Sequence, residues 1–201
     1  MKVIGITGGV GAGKSAVLAR LTQRSDCGVI MADQVAHRLE EPGGICFAPL
    51  TALLGEDILD DAGRIDKQKM GAKIFGDETL LQCVNEIVHP AVKAYLLAKI
   101  EEERAAGKLR FLFIEAALLI EEGYAGILDE LWYIHATEAV RRRRLKESRG
   151  YSDEKIDAIF HSQLSEEDFR KHCNVVIENN GTLQSVYAQI EKELGEYQWQ
   201  K

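Results

Sequence analysis

Apolar residues along the chain fall into five short runs rich in β-branched and aromatic side chains. The runs lie at residues 2–7, 27–31, 110–114, 131–134 and 174–177. Helix-forming sequence separates each run from the next, and such alternation is typical of a parallel sheet with helices on both faces. We therefore predict an α/β fold with a parallel five-stranded sheet.

Between residues 42 and 107 the strand pattern is replaced by helical periodicity, with an apolar face that runs through residues 84–96. His89 and Pro90 lie inside this block, and Pro90 is suited to the first turn of a helix that ends near Glu103. The block is too long for an ordinary crossover. It predicts a helical insertion at the ligand edge of the sheet, where an acceptor substrate would be held.

The loop between the first strand and the first helix has the sequence GGVGAGKS at residues 8–15 and fits the phosphate-loop spacing G-x-x-x-x-G-K-[ST]. Glycines allow positive φ, so backbone N–H groups can turn toward an anion, and the helix adds its positive dipole end. Lys14 would supply a cation for the outer phosphates and Ser15 a hydroxyl for Mg²⁺. A glycine-rich turn without a ligand is the alternative, but four glycines and a lysine in this register favour a nucleotide. The predicted nucleotide-binding residues are Gly8, Gly9, Gly11, Ala12, Gly13, Lys14, Ser15 and Ala16.

Acidic residues end two of the predicted strands, at the edge of an open parallel sheet where ligands bind. Asp33 follows the second run, and Glu115 follows the third. The Asp33 carboxylate could accept the proton of a hydroxyl that attacks the γ-phosphate, or it could cap the next helix. Position alone leaves both interpretations open. Glu115 is suited to hold Mg²⁺, directly or through water.

A basic concentration lies between the last two runs, with five arginines within residues 141–149 of an acidic chain. On a helix it forms two neighbouring faces, Arg141 with Arg144 and Arg142 with Lys146 and Arg149. An arginine-bearing helix that closes over phosphates would stabilise the transferring group and exclude water. A solvated helix in which Glu138 pairs with Arg141 or Arg142 is the alternative. The arginine density favours a lid, formed by residues 137–172.

Composition limits the class of protein. A chain of 201 residues with 46% hydrophobic residues can bury one substantial core. The net charge of −7 disfavours a broad nucleic-acid-binding surface. The four cysteines are scattered without a C-x-x-C pair, which predicts free thiols in a reducing compartment. With no leader-like start and no apolar run long enough for a bilayer, we expect a cytoplasmic protein.

These motifs occur in an order that is more specific than the phosphate loop alone. They are IGITGGVGAGKS at residues 4–15, Ala32-Asp33, His89-Pro90, Glu115 with Leu118, Leu119 and Glu121, Arg144-Leu145 with Arg149, Gln163, and VIENNG at residues 176–181. Over nearly its whole length the sequence resembles the dephospho-coenzyme A kinase family. It departs from the family pattern where Glu115 and Glu178 replace Asp, Ala117 replaces proline, Arg141 replaces glutamine and Met31 replaces an Asp.

The resemblance implies transfer of the ATP γ-phosphate to the ribose 3′-hydroxyl of dephospho-CoA. Asp33 would then be the general base, Lys14 and the loop amides the phosphate cradle, and Ser15 with Glu115 the Mg²⁺ ligands. The remaining implied roles are lid contacts for Arg144 and Arg149, acceptor contacts for His89 and Leu118, and a place near the ATP base for Asn179.

The resemblance also implies a division of the chain into three parts. A phosphate-loop nucleotide-binding core takes residues 1–41, 108–136 and 173–201, the acceptor insertion takes 42–107, and the lid takes 137–172. We expect a monomer whose partners are ATP and dephospho-CoA, with no nucleic acid and no membrane.

Two alternatives remain at this stage. One is a phosphate-loop kinase that acts on another small molecule, such as a nucleoside or nucleotide. The other is a weakened ATP-binding module with little turnover, although Asp33 and Lys14 argue against it. A GTPase switch is disfavoured because no N-K-x-D sequence is present.

Overall fold

The computed structural model describes residues 1–116, 119–120 and 124–197. Its five strands are β1 (Lys2–Thr7), β2 (Cys27–Met31), β3 (Phe111–Glu115), β4 (Glu130–His135) and β5 (Val175–Glu178). They form one sheet in the order β2-β3-β1-β4-β5. β1 pairs in parallel with β3 and with β4, and β4 pairs in parallel with β5. The predicted five-stranded parallel sheet is confirmed.

Helices connect the strands except between β3 and β4, where the described residues contain only a 3₁₀ turn, Tyr124–Gly126, in place of the predicted helix. In the described part of the chain they are α1 (Lys14–Leu21), α2 (Ala32–Glu40), α3 (Phe47–Leu54), α4 (Lys67–Ile74), α5 (Glu78–Ala106), α6 (Glu138–Arg149), α7 (Asp153–His161), α8 (Glu166–His172) and α9 (Leu183–Glu196). Ser152 and Ser165 accept backbone N–H groups as the N-caps of α7 and α8. Gly150 ends α6 in the left-handed conformation, at φ 62°.

The chain forms two compact units. The first contains Met1–Val29 and the chain from Ala106 onwards. Its core lies around the central strand β1, in which every residue from Val3 to Thr7 is buried. Trp132 of β4 is fully buried and meets Phe113 of β3 edge to face, with ring centroids 5.5 Å apart. This packing holds the carboxyl end of β1, from which the phosphate loop begins.

The second unit, Ile30–Ala105, contains α2 to α4 and nearly all of α5. The prediction that Pro90 begins a helix is wrong, because α5 continues through Pro90 over 29 residues. Proline removes one backbone hydrogen bond inside a helix. Burial of an apolar stripe on both sides of it offsets that loss. The stripe has a four-residue spacing and consists of Val84, Val88, Val92, Leu96 and Ile100.

The state of the cysteines and the presence of membrane-spanning helices can also be read from the structure. Cys27, Cys46, Cys83 and Cys173 are all free thiols. Among the helices within the described ranges, none has the length and apolar character needed to span a membrane.

Candidate active site

The phosphate loop lies between the end of β1 at Thr7 and the start of α1 at Lys14. Gly13 caps α1 in the left-handed conformation, at φ 91° and ψ 27°. A Cβ atom at Gly13 would clash with Nδ2 of Asn179, and one at Gly8 would lie 2.5 Å from the carbonyl oxygen of Ile134. Because the loop passes so close to β4 and to the end of β5, these positions require glycine.

Lys14 and Glu115 meet at this loop. The Lys14 ammonium Nζ donates a hydrogen bond of 2.7 Å to the carbonyl oxygen of Gly8 and lies 3.8 Å from Oε1 of Glu115. Glu115 is the last residue of β3 and stands opposite Ile6 in the register with β1. Adjacent parallel strands therefore bring the predicted phosphate cation and the predicted metal ligand together, and the side chains are only 17% and 11% exposed.

The donor set of the site fits Mg²⁺ held together with nucleotide phosphates. Ser15 presents an exposed hydroxyl in the first turn of α1, and Glu115 presents a carboxylate. In the ranges that the structure describes, no group of three or more His, Cys, Asp or Glu residues could hold a metal ion. Mg²⁺ commonly takes one or two protein ligands and completes its shell with phosphate oxygens and water.

Arg144 of α6 contacts both the phosphate loop and Asn179. Its Nη2 donates to the Asn179 carbonyl oxygen at 2.8 Å, and its Nη1 donates to the Ala12 carbonyl oxygen at 3.3 Å. Asn179 is 2% exposed and donates from Nδ2 to the same Ala12 oxygen at 2.7 Å. Burial, together with the charge of Arg143, lowers the pKa of Arg144. Arg144, a predicted lid contact, and Asn179, a predicted nucleotide-binding residue, thus share one carbonyl of the loop.

Arg141 also contacts the loop, although the sequence assigned it no individual role. Its Nε donates to the Val10 carbonyl oxygen at 2.9 Å, and its Nη2 donates to Oε1 of Gln163. The same Gln163 oxygen accepts the Val10 N–H at 3.3 Å. The guanidinium lies 4.3 Å from the centroid of the Phe160 ring, and burial lowers its pKa. Both backbone groups of Val10 are therefore bound, the carbonyl by Arg141 and the N–H by Gln163.

The two predicted faces of the basic helix are separate in the structure. Arg142 pairs with Asp153 at 2.9 Å and with Asp157, and it also forms the predicted bond to Glu138, at 3.0 Å. Lys146 pairs with Asp153 as well, at 2.7 Å. This face binds the acidic start of α7, whereas Arg141 and Arg144 bind the phosphate loop.

Arg149 lies apart from the loop-binding face. It is exposed in the last turn of α6, and its guanidinium is 5.8 Å from the centroid of the Tyr151 ring. It comes five positions after Arg144 in the helix, which turns its side chain about 140° away around the helix axis. The structure does not bring Arg149 together with Arg144.

Two predicted acceptor residues belong to the second unit. Asp33 is the second residue of α2 and is exposed, and Met31 occupies the N-cap position. The interpretation of Asp33 as the N-cap of α2 is therefore wrong. His89 is half-buried in α5, directly before Pro90. The third predicted residue, Leu118, lies outside the described residues, as do Ala117 and Glu121.

A buried histidine supports the end of β5, and sequence reasoning missed it. His135 is 5% exposed, with Nδ1 2.6 Å from Oε2 of Glu178 and Nε2 3.2 Å from Oε2 of Glu166. Burial alone would raise the pKa of Glu178, but hydrogen bonds to His135 and Arg170 outweigh burial and lower it. The His135 carbonyl oxygen also accepts the Asn179 N–H at 2.7 Å. Glu178 and His135 thereby hold the segment that carries Asn179.

Comparison with known proteins identifies the family. The family model described as dephospho-CoA kinase matches residues 2–185. The chain belongs to the dephospho-CoA kinase family. The dephospho-CoA kinase of Carboxydothermus hydrogenoformans is 31% identical over 199 residues, which cover 99% of this chain and 96% of that relative. The dephospho-CoA kinase of Corynebacterium diphtheriae is 34% identical over 201 residues, 100% of this chain and 97% of the relative.

Solved structures agree with the fold of this family. The crystal structure of TT1252 from Thermus thermophilus has a TM-score of 0.81 at 29% identity and covers 98% of both chains. The dephospho-CoA kinase from Campylobacter jejuni has a TM-score of 0.73 at 20% identity, with 98% and 97% covered, and shows the fold alone. Dephospho-CoA kinases catalyse the last step of coenzyme A biosynthesis with ATP as a substrate. A kinase of another small molecule is not favoured.

Proposed function

We propose that this chain transfers the γ-phosphate of Mg²⁺-bound ATP to the ribose 3′-hydroxyl of dephospho-CoA, giving coenzyme A and ADP. The observation that carries the proposal is the Lys14 ammonium held between the Gly8 carbonyl and the Glu115 carboxylate, at a phosphate loop in a chain of this family. The geometry of the loop explains how phosphate is bound. Membership of the family identifies the acceptor.

ATP would bind with its phosphates in the loop formed by residues 8–16. Backbone N–H groups and the start of α1 would surround the inner phosphates, and Lys14 would reach the outer ones. The hydrogen bonds of Asn179 and Arg144 to Ala12 support a position beside the nucleotide for both residues. Asn179 would lie near the base, and Arg149 would join the lid contacts when the lid closes over the phosphates.

Ser15 and Glu115 would hold Mg²⁺, because a hydroxyl and a buried carboxylate at the loop match the oxygen ligands that this ion prefers. When bound, the ion neutralises charge on the phosphates.

Asp33 would act as the general base of the transfer. Its carboxylate would take the proton of the 3′-hydroxyl while the hydroxyl oxygen forms a bond to the γ-phosphorus. The bond from the γ-phosphorus to the bridging oxygen breaks, and that oxygen leaves as part of ADP. Lys14 and the arginine-bearing lid helix would stabilise the charge on the transferring group, and Arg144 would bind the nucleotide from that helix. The exposure of Asp33 supports its access to an acceptor hydroxyl.

The acceptor would be held by residues 42–107, with His89 and Leu118 as contacts. The half-buried position of His89 leaves part of its ring accessible to a ligand. We also infer that the enzyme works as a cytoplasmic monomer on small molecules alone. The free thiols of all four cysteines and the net charge of −7 support a reducing compartment and argue against nucleic acid as a partner.

The test is ADP release from Mg-ATP with dephospho-CoA or adenosine as the acceptor. We expect turnover with dephospho-CoA and little with adenosine. Turnover with adenosine alone would make the chain a kinase of another acceptor. ATP binding without ADP release from either mixture would make it a nucleotide-binding module.

A further inference from the structure

We propose that Arg141, and not Arg144, is the lid arginine that contacts the γ-phosphate of bound ATP, with Gln163 as its positioning residue. The proposal rests on the proposed function, because it assumes that the loop binds a nucleoside triphosphate. It assigns a phosphate-binding role to an arginine that stands where the family resemblance predicts glutamine.

The first argument is the order of the cations along the loop. Lys14 donates to the carbonyl oxygen of Gly8, and Arg141 donates to that of Val10. Arg144 donates further along, to the carbonyl oxygens of Gly11 at 3.5 Å and Ala12 at 3.3 Å. The lysine of a phosphate loop reaches the β- and γ-phosphates, whereas the later amides surround the α- and β-phosphates. Arg141 therefore lies at the end of the loop that faces the outer phosphates.

The second argument is the charge of Arg141. Arg142, the next residue, pairs with three carboxylates, those of Glu138, Asp153 and Asp157. Arg141 forms no ion pair with any residue that the structure describes, and its two acceptors are the neutral oxygens of Val10 and Gln163. A partly buried cation without an ion pair is costly. Burial lowers the pKa of Arg141, and the nearby charge of Glu138, which pairs with Arg142, does not offset that effect. A phosphate oxygen would supply the missing negative charge.

The third argument is the orientation of the guanidinium. Gln163 binds Nη2, Val10 binds Nε and Phe160 covers the planar face, so the plane is fixed on three sides. Nη1 makes no hydrogen bond to any residue within the described ranges. The whole guanidinium lies against Gly9 of the loop, where a Cβ would clash with Nη2, Cζ and Nη1 alike. The N–H groups of Nη1 are available to an anion, and an arginine held in this way is suited to bind phosphate.

A purely structural clasp between lid and loop is the competing explanation. Glutamine at position 141 could still donate one hydrogen bond to the Val10 carbonyl, but it would carry no charge. Arg141→Gln therefore separates charge from hydrogen bonding. Arg144→Gln is the comparison on the same helix face, and Arg143→Gln is the control, because Arg143 is exposed.

The experiment measures the affinities of the full-length chain for Mg-ATP and Mg-ADP by titration calorimetry, without an acceptor. For Arg141→Gln we expect about 10- to 100-fold weaker ATP binding, the size of one charge-assisted hydrogen bond, with ADP binding changed less than about twofold. Arg144→Gln should weaken ATP and ADP binding alike, and Arg143→Gln should change neither. Equal losses of ATP and ADP affinity in Arg141→Gln, or no loss, would overturn the proposal.

Gln163 is tested by a double-mutant cycle. If it positions Arg141, Gln163→Ala should weaken ATP binding less than Arg141→Gln does, and the double variant should bind ATP about as weakly as Arg141→Gln alone. Fully additive losses would contradict the positioning role. Neither titration needs an acceptor, so a failure of dephospho-CoA as substrate would refute the proposed function and leave this result intact.

Discussion

The side-chain amide of Asn179 donates a hydrogen bond of 2.7 Å to the carbonyl oxygen of Ala12. This bond connects the end of β5 with the phosphate loop, and Arg144 of α6 binds both residues. The amide is almost fully buried, so its hydrogen-bonding groups depend on these partners. The loop, the sheet edge and α6 therefore share one small polar network.

Asn179→Ala should weaken both the fold and nucleotide binding. It removes the shorter of the two hydrogen bonds that the Ala12 carbonyl accepts, at a cost of about 0.5–1.5 kcal/mol in unfolding free energy. We expect the KM for ATP to rise about tenfold, as measured by steady-state kinetics beside urea unfolding. Asn180→Ala is the control, because Asn180 binds the Thr137 N–H and not the loop. An equal rise of KM in both variants would mean that the effect on ATP is indirect.

Gly13→Ala should damage the loop for two reasons. The residue has φ 91°, which costs an alanine about 1–2 kcal/mol, and the new Cβ would clash with the buried Asn179 amide. We expect lower thermal stability and at least tenfold weaker ATP binding. Gly71→Ala is a matched control inside α4, where a Cβ meets nothing within 4 Å, and should stabilise by up to about 1 kcal/mol. Similar ATP affinities in the two variants would refute the requirement for glycine at position 13.

Asp33→Asn should separate binding from catalysis. The amide keeps the shape of the side chain and removes the base, so turnover should fall about 10²-fold or more while ATP affinity stays within about twofold. Asp61→Asn, at another exposed acid of the same unit, should leave turnover unchanged. Unchanged turnover in Asp33→Asn would remove Asp33 from the mechanism.

Glu130 should make stability depend on pH in the acid range. Burial alone would raise its pKa, but hydrogen bonds from Lys2, Tyr197 and Trp132 outweigh burial and lower the pKa below the ordinary value of 4.5. A lowered native pKa means that the contribution of Glu130 is complete above pH 4.5 and is lost as pH falls through the native pKa.

Glu130→Gln should therefore lower the free energy of unfolding by about 1–3 kcal/mol at pH 7, measured by urea unfolding. The difference from the unmodified chain should shrink as the pH falls below about 4.5, because Glu130 then becomes protonated. Glu147→Gln, at an exposed position of α6, should change stability by less than about 0.5 kcal/mol. A difference for Glu130→Gln that is constant with pH would contradict the lowered pKa of Glu130.

The elements that were predicted correctly depend on local sequence. The phosphate loop requires glycines, Lys14 and Ser15 at a fixed spacing, and helical periodicity alone separates the two basic faces of α6. Pro90 was misjudged because its local preference for a helix start is weaker than the burial of the stripe from Val84 to Ile100. Local preferences yield where tertiary packing supplies more free energy.

The contacts that could not be predicted join distant parts of the chain. No periodicity indicates that Asn179 would meet Ala12, or that Gln163 and Arg141 would bind the two backbone groups of Val10. The sequence shows arginine at position 141, where the family pattern has glutamine. The consequence of this difference depends on which backbone carbonyl the Arg141 guanidinium reaches, and only the fold determines which one it is.

The most direct test of the central claim is the position of the phosphate in the product. The chain is incubated with Mg-ATP and dephospho-CoA, and the product is examined by ³¹P and ¹H NMR. The account predicts a new phosphomonoester on the ribose 3′-oxygen, formed in equal amount with ADP. A phosphate on the 2′-oxygen, or ADP formed without a phosphorylated acceptor, would contradict it.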